Sequence, residues 1–235
     1  MNIKNLVRLF FAFSMISFSQ PTFAAEEISS IARGGRLYDK WYEVIGIARP
    51  NGTHPAWPGS NRQKTGSVTH RCKSCHGWDL MGKDGAYVSG SYETGIEGLK
   101  RMKGASNVKV ISIMKDSTHG YDGKMSEQDF TDLANFVTKG QIDMEFFIDR
   151  KTKKVNGNLN QGEAYYNTVC TNCHGEFGMA QEGMHALGKI ANRNPWETLQ
   201  KIQNGQPYEE MPALRAFGLQ ASVDILSYLQ TLPEK

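Results

Sequence analysis

The sequence has only four cysteines among 235 residues, so it is not a disulfide-dense secreted domain. It also lacks long apolar runs: its mean hydropathy is −0.49, which excludes a protein with several membrane spans. A strong charge of either sign is missing too, because 27 basic and 24 acidic side chains give a formal net charge of +3. Nucleic-acid-binding proteins carry a concentrated basic face, so we expect no nucleic-acid partner.

The N-terminus is predicted to be a secretory signal peptide that is cleaved after Ala24. Lys4 and Arg8 form the basic start, an apolar run extends from Leu6 to Phe18, and Thr22 and Ala24 are the small residues at the cleavage point. The run is shorter than the ~20 residues that a membrane span needs, so an uncleaved N-terminal anchor is the weaker alternative. Both interpretations place the working part outside the cytoplasm, and we expect a periplasmic protein.

All four cysteines belong to two copies of a Cys-x-x-Cys-His pattern. The first motif contains Cys72, Cys75 and His76, and the second motif contains Cys170, Cys173 and His174. This pattern is typical of covalent haem c attachment: two thiols add to the haem vinyl groups, and the histidine that follows binds the iron. The sequence therefore predicts two covalently bound haem c groups, with the cysteines as attachment points and both histidines as iron ligands.

Three other uses of these cysteines explain the pattern less well. Two disulfides would not explain why a histidine directly follows each cysteine pair. A zinc site with two cysteine pairs is typical of compact modules, and here about 95 residues separate the pairs. A thioredoxin-like redox pair would need a βαβ context, which the sequence lacks.

Helical patterns on both sides of each motif predict an all-α fold. Before the first motif, a helix is predicted from Gly34 to about Ala48. After it, a second helix carries an apolar stripe, begins with a capping box at Ser126 and Asp129, and ends at Gly140. The stripe consists of Phe130, Leu133, Ala134 and Val137.

Helices are also predicted before and after the second motif, as they are around the first. A helix is predicted from Gly162 through Val169 into Cys170, and a final helix from Ala221 to Leu232 ends before Pro233. The predicted organisation is a signal peptide at 1–24, a first domain at 25–148 with an inserted loop at 49–71, a basic solvated linker at 149–160 and a second domain at 161–235.

A haem iron with six ligands needs a second axial group, and methionines and histidines are the candidates. Met211 is the prediction for the second motif, because Pro212 follows it and it lies 37 residues after His174. Met125 is the prediction for the first motif, since it lies 49 residues after His76 and directly precedes a helix. His119, in the same segment as Met125, stays open as an alternative for this position, and His54 is a weaker one.

These motifs resemble class I cytochromes c, and the whole chain resembles an exported bacterial dihaem cytochrome c. The similarity covers about 34–48, 71–140 and 160–233, and it implies two tandem cytochrome c-like helical domains. It also implies that the first and last helices of each domain cross at a glycine and aromatic residues. The resemblance implies contacts of Gly162 and Tyr165 or Tyr166 with Tyr228, and of Gly34 or Gly35 and Tyr38 or Trp41 with Phe136.

The sequence departs from the family in two places. His185 occupies about the position where many relatives have a proline whose carbonyl orients the iron-binding imidazole. The inserted loop before Cys72 is unusual as well, and Trp57 and His54 in this loop are candidates for a position near the first haem.

The resemblance implies electron transfer between redox proteins, without catalytic residues. A dihaem enzyme that oxidises small sulfur anions or reduces peroxide remains an alternative, and it would require one haem to be open or histidine-ligated. A third interpretation is the electron-transfer subunit of a membrane-bound or multi-subunit oxidoreductase. The donor, the acceptor and the oligomeric state are open.

Overall fold

A computed structural model describes the backbone of residues 20–235 and the side chains from residue 24 onward. Within this part the chain is helical and has two isolated antiparallel bridges but no strand, which confirms the predicted helical class. The α-helices are α1 (Gln20–Val44), α2 (Cys72–His76), α3 (Asn107–Lys115), α4 (Glu127–Lys139), α5 (Leu159–Tyr165), α6 (Thr171–His174), α7 (Leu187–Arg193), α8 (Pro195–Asn204) and α9 (Leu219–Leu229). A π-helical turn, Tyr166–Cys170, joins α5 to α6, and 3₁₀ turns cover Gly66–His70, Lys100–Met102, Met144–Phe146 and Arg215–Phe217.

Most of the predicted signal peptide lies outside the described residues. The described backbone begins at Gln20, and α1 continues through the expected cleavage point after Ala24. None of the helices in the described part is long and apolar enough to cross a membrane. Export and cleavage therefore stay predictions.

Helix α1 differs from its predicted bounds at both ends. It begins at Gln20 instead of Gly34, and it ends at Val44 instead of near Ala48. The end is a Schellman motif: the Gly46 amide donates to the Glu43 carbonyl, the Ile47 amide donates to the Tyr42 carbonyl, and Gly46 has φ +70°. The glycine that accepts this left-handed conformation stops the helix four residues before the apolar pattern does.

Helices α1 and α4 cross at Gly34, as the resemblance implied. A Cβ atom at Gly34 would overlap the carbonyl oxygen of Asp132 and lie 2.7 Å from the Cβ of Phe136. The Tyr38 ring packs on Phe136 with ring centroids 5.2 Å apart. The capping box at Ser126 and Asp129 is present and starts α4. A residue without a side chain is needed at 34 because the two backbones are in contact there.

Helices α5 and α9 repeat this crossing. A Cβ atom at Gly162 would overlap the carbonyl oxygen of Asp224 and lie 2.9 Å from the Cβ of Tyr228. The Tyr166 ring packs on Tyr228 with centroids 5.5 Å apart. Gly162 lies inside α5, not at its start, because Asn158 caps the helix by accepting from the Gln161 amide.

Two buried apolar clusters fill the molecule. The first cluster lies between α1, α3 and α4 and includes Leu37, Tyr38, Trp41, Val110, Met125, Phe130, Leu133 and Phe136. The second cluster lies between α5, α8 and α9 and includes Tyr166, Trp196, Leu199, Val223 and Leu226. The second cluster also takes Trp78, Tyr87, Ile142, Met144 and Ile148, which precede the predicted domain boundary.

The segment predicted as a solvated linker is held by contacts along its length. The Arg150 guanidinium donates to the buried carboxylate of Asp79 over 3.0 Å, and Ile148 pairs with Val155 in an antiparallel bridge. The Asn158 amide donates to the Asp224 carboxylate over 2.8 Å. The segment is therefore attached to the rest of the molecule at these points, although most of its residues are exposed. The linker and the domain boundaries at 149 and 160 stay predictions.

Candidate haem-attachment sites

The first motif forms helix α2, and aromatic side chains from α1 hold its ends. The Tyr38 hydroxyl donates to the Gly77 carbonyl over 2.6 Å, directly after His76. The Trp41 indole donates to the His70 carbonyl over 3.0 Å, just before the motif. Tyr38 and Trp41 are both buried, so the Cys-x-x-Cys-His turn is fixed against the first core.

The second motif runs from the π-helical turn into α6, and it is held by the same kind of bond. The Tyr166 hydroxyl donates to the Gly175 carbonyl over 2.6 Å, directly after His174. Tyr166 lies four residues after Gly162, as Tyr38 lies four residues after Gly34. Each motif is thus tied by a tyrosine one helical turn beyond a crossing glycine.

The four cysteines are unpaired thiols, so the structure does not contain the two disulfides of the alternative interpretation. Burial raises the pKa of Cys72 and Cys75 to about 12 and that of Cys170 to about 11. Redox and metal-binding cysteines usually have lowered pKa values, because the thiolate is the reactive form. Within the described residues no group of three or more His, Cys, Asp or Glu side chains is arranged to hold a metal ion on its own. Paired thiols on one helical turn, with a histidine next to them, fit covalent haem attachment.

The imidazole of His76 is held by a backbone acceptor. Its Nδ1 lies 2.8 Å from the Glu97 carbonyl, and burial lowers the pKa of His76 to about 4, so the ring is neutral at pH 7. A carbonyl acceptor fixes the proton on Nδ1 and leaves Nε2 as the free ligand atom. Sequence reasoning missed Glu97, because a backbone acceptor has no side-chain requirement that would mark it.

His174 has a different environment. Its Nδ1 is buried and has no hydrogen-bond partner among the described residues. His185, at the position where relatives have a proline, is exposed. The backbone acceptor expected for the second imidazole is therefore not observed near His185.

The structure places the two candidates for the second ligand at the first motif in different surroundings. Met125 is 8% exposed, lies directly before the start of α4 and packs in the first cluster. His119 lies in the loop after α3 and faces His76, with ring centroids 6.4 Å apart and an angle of 18° between the ring planes. His54, the weaker candidate, is buried, and its Nε2 lies 3.1 Å from the His119 carbonyl.

Met211 lies in the loop between α8 and α9 and is partly buried. Two contacts tie this loop to α8. A Cβ atom at Gly205 would come 2.6 Å from the Met211 carbonyl, and the Leu214 amide donates to the Ile202 carbonyl over 2.9 Å. Pro212, which suggested the ligand loop in the sequence, is exposed. The site assignments at Met125 and Met211 stay predictions.

The inserted loop is ordered by buried side chains and covers the first motif. Its buried members are His54, Trp57, Asn61, Thr69 and His70. The His70 carbonyl accepts from both the Trp41 indole and the Tyr121 hydroxyl, over 3.0 and 2.9 Å. The Trp57 indole donates to the Asn61 carbonyl, which closes the loop on itself. The loop therefore links α1 to the segment that contains His119.

A polar junction connects the helices around the two motifs. Asp39 in α1 pairs with Arg71, next to the first motif, and with Lys201 in α8, whose Nζ lies 3.0 Å from the carboxylate. The Gln200 amide donates to the Trp78 carbonyl over 3.0 Å. Burial alone would raise the pKa of Asp39, but the two cations hold that pKa below its ordinary value. Sequence reasoning missed this junction because its members are far apart along the chain.

Part of the chain is similar to a known protein family. Residues 157–228 match the family model described as cytochrome C oxidase, cbb3-type, subunit III. No curated protein and no solved structure shows significant similarity to the chain. The matched segment contains the second motif, both helices of the second crossing and Met211, so it identifies a c-type cytochrome domain. Residues 157–228 are therefore similar to a c-type cytochrome domain, and this similarity supports an electron-transfer haem protein.

Proposed function

We propose that this chain is a periplasmic electron carrier with two covalently bound haem c groups, one on each Cys-x-x-Cys-His motif. The observation that carries the proposal is the repeated support of the two motifs. Gly34 and Gly162 cross a partner helix in the same way, and Tyr38 and Tyr166 donate to the residue that follows each motif. A motif that bound nothing would have no reason to share this support with the motif inside the matched domain.

The residues around each motif have the roles that such a carrier needs. Haem c, when bound, supplies an iron that changes between the ferric and ferrous states by one electron. Each cysteine pair would attach the group covalently, and His76 and His174 would each supply an imidazole to it. The bonds from Tyr38 and Tyr166 hold each helical turn, and with it the histidine, in place.

For the second axial position, Met211 is our proposal at the second motif. Its loop follows α8 and is tied to that helix through Ile202 and Leu214. At the first motif, Met125 is the ligand that the sequence predicts and His119 is the alternative that it left open. A thioether ligand raises the reduction potential and a second imidazole lowers it, so this choice decides the potential of the first haem.

The haem count of the purified full-length chain tests the proposal. We expect two haems per chain from the pyridine haemochrome assay and from intact mass. Cys72→Ala with Cys75→Ala should leave one haem, and Cys170→Ala with Cys173→Ala should also leave one. A wild-type count of one, unchanged in the first double variant, would contradict the two-haem carrier.

Export needs a separate measurement. We expect the mature protein to begin at Ala25 and to appear in the periplasmic fraction when a host with a haem c maturation system expresses the full chain. N-terminal sequencing decides between cleavage and an uncleaved anchor. A protein that retains residue 1 and sediments with membranes would support the anchor.

A second candidate function is the electron-transfer subunit of a larger oxidoreductase. The observation that favours it is the match of residues 157–228 to a family of oxidase subunits. Its chemistry is the same, and it differs only in a stable partner. Co-purification of stoichiometric partner chains with a tagged copy from the native membrane would favour the subunit, whereas a chain that purifies alone and exchanges electrons with soluble redox proteins favours the free carrier. Detection of an iron with an open axial position would instead favour the dihaem enzyme as the function of this chain.

A further inference from the structure

Two histidine rings face each other at the first motif. The rings of His76 and His119 are 18° from parallel, and their centroids are 6.4 Å apart. Tyr87 and Tyr92 are a directly stacked pair in the same molecule, at 15° and 5.0 Å. The histidine rings are therefore 1.4 Å further apart than this directly stacked pair.

The spacing matches two imidazoles on opposite sides of one metal ion. Metal–imidazole bonds are about 2.0–2.1 Å long, and with ring bonds of about 1.33 Å a ring nitrogen lies about 1.1 Å from the ring centre. Two such ligands in line with the metal have ring centres about 6.3 Å apart. The observed 6.4 Å agrees with this value.

Both rings are held at Nδ1 by an acceptor, which leaves the other ring nitrogen, Nε2, free to bind a metal. The His76 Nδ1 lies 2.8 Å from the Glu97 carbonyl, and the His119 Nδ1 lies 3.2 Å from the Asp116 carboxylate. Neither Nε2 atom makes a hydrogen bond within the described part of the chain. A histidine that binds metal through Nε2 is typically held at Nδ1 by a carbonyl or carboxylate, which sets the tautomer and the orientation.

The backbone around His119 is fixed as well. The Asp116 carboxylate accepts from the amides of Thr118 and His119 over 2.9 and 2.8 Å, which closes the loop after α3. The His119 carbonyl lies 3.1 Å from the Nε2 of His54. The Ala56 amide donates to the Nδ1 of His54, so Nε2 carries the proton and donates to the His119 carbonyl.

Met125 has a role that requires no metal. Its side chain is 8% exposed and packs in the first cluster between α1, α3 and α4. Apolar packing is the usual function of a buried methionine. Packing of the side chain therefore accounts for its position.

We propose that His119 is the second axial ligand of the haem on the first motif, and that Asp116 and His54 are its positioning residues. This inference rests on the proposed function, because it needs a haem at the first motif. It assigns a function to the inserted loop, which supplies His54 and so holds the ligand segment. The two haems then have different ligand pairs: two histidines at the first motif, and His174 with Met211 at the second.

Spectroscopy of the oxidised, full-length holoprotein tests the assignment. We expect one methionine–ferric charge-transfer signal for every two haems, together with one bis-histidine low-spin signal in electron paramagnetic resonance. Met125→Leu should retain both signals, and Met211→Leu should lose the methionine signal. Two methionine signals per chain, one of which disappears in Met125→Leu, would overturn the assignment.

His119→Ala probes the ligand directly. We expect it to convert the bis-histidine signal into a high-spin one and to let added imidazole restore the low-spin form. His119→Met should keep that iron low-spin and raise the reduction potential of one haem only. If His119→Ala does not accumulate with two haems, the number of methionine signals in the wild type still distinguishes His119 from Met125 as the ligand. A chain with haem only at the second motif would overturn both the proposed function and this assignment, whereas two haems with two methionine signals overturn the assignment alone.

His54→Ala tests positioning. Loss of one hydrogen bond corresponds to roughly a tenfold change, so we expect added imidazole to replace His119 roughly ten times more readily in this variant. His54→Gln, which keeps an N–H donor, should restore part of the wild-type behaviour. The matched control is His185→Ala, because His185 is an exposed histidine outside this cluster. Equal imidazole binding in the wild type, His54→Ala and His185→Ala would overturn the positioning role.

Discussion

The two motifs share their attachment geometry but differ in what surrounds them. At the first motif, the imidazole is tied to the Glu97 carbonyl and a long loop covers the site. At the second, the Nδ1 of His174 lacks a partner among the described residues, and Cys173 and Phe177 are exposed. Helix crossing and tyrosine bonds therefore set the attachment turn, while the connecting loops set the ligand environment. One supporting framework is thus compatible with two differently tuned sites.

The junction between the two regions gives the largest expected effect. Asp39→Asn removes the carboxylate and leaves Arg71 and Lys201 partly buried without it, so we expect a loss of about 3–5 kcal/mol in the free energy of unfolding. Because the folded-state pKa of Asp39 is lowered, its contribution is fully present above the ordinary aspartate pKa near 3.9 and is lost as the pH falls through the folded value.

Denaturant unfolding at several pH values measures this effect. The difference between wild type and Asp39→Asn should be constant near pH 7 and shrink below about pH 4. A difference that stays the same down to pH 2 would contradict the charge argument. Arg49→Gln is the control, because Arg49 forms an exposed ion pair with Glu43 outside the junction.

The two helix crossings should respond equally to the same substitution. Gly34→Ala and Gly162→Ala each place a methyl group on a backbone carbonyl, so we expect each to cost about 1–3 kcal/mol in stability. Gly59→Ala, where nothing lies within 4 Å of the added atom, is the control and should cost little. Thermal unfolding followed by haem absorbance measures all three. A tolerated Gly162→Ala beside a damaging Gly34→Ala would break the equivalence of the crossings.

The two tyrosine bonds differ in how deeply the carbonyl that accepts the bond is buried, so their loss should have different effects on stability. Tyr38→Phe leaves a fully buried Gly77 carbonyl without its donor, so we expect a loss of about 1–3 kcal/mol. Tyr166→Phe affects Gly175, which is only partly buried, and we expect a loss of about 0.5–1.5 kcal/mol. Equilibrium unfolding of the two variants gives the ranking. The reverse order would mean that the second attachment turn is the more enclosed one.

A further small effect is expected at the second position of each motif, which is the buried Lys73 in the first and the partly exposed Thr171 in the second. Burial lowers the pKa of Lys73 to about 7, and its Nζ lies 4.3 Å from the Tyr92 ring centre. Between pH 7 and the ordinary lysine value near 10.4 the unfolded chain binds more protons, so wild-type stability rises with pH in this window.

Lys73→Met should therefore stabilise the protein below pH 7, by about 1 kcal/mol once the lost cation–π contact is counted. The gain should decrease towards pH 10. Paired unfolding curves of wild type and variant at pH 6 and pH 10 check this. A gain that grows with pH would show that the ammonium is well stabilised by its aromatic neighbours.

Many of the helices could be predicted from the sequence because the features that determine them are local. The apolar stripe of α4, its capping box and the two motifs depend on neighbouring residues, and the structure has these helices. The crossing glycines were found through the family resemblance, since Gly34 and Phe136 meet across about 100 residues.

Two kinds of feature could not be predicted. The acceptor for His76 is a backbone carbonyl, and the Asp39 junction joins side chains from three distant segments. The position of His119 depends on a buried loop whose path no local pattern defines. The end of α1 was misplaced because Gly46 interrupts an otherwise continuous helical pattern.

The arrangement of the helix pairs determines how a second helical pair can be added to such a chain. The entry and exit of each helical pair lie close together: Lys139 at the end of α4 pairs with Glu27 near the start of α1, and the Gln230 side-chain amide after α9 donates to the Lys153 carbonyl before α5 over 2.8 Å. A second helical pair can then be appended through a short connection without rearranging the first, as chain ends that lie close together favour tandem joining and insertion. The architecture is therefore modular, and a loop such as 49–71 can be lengthened inside one pair while the fold of the other is preserved.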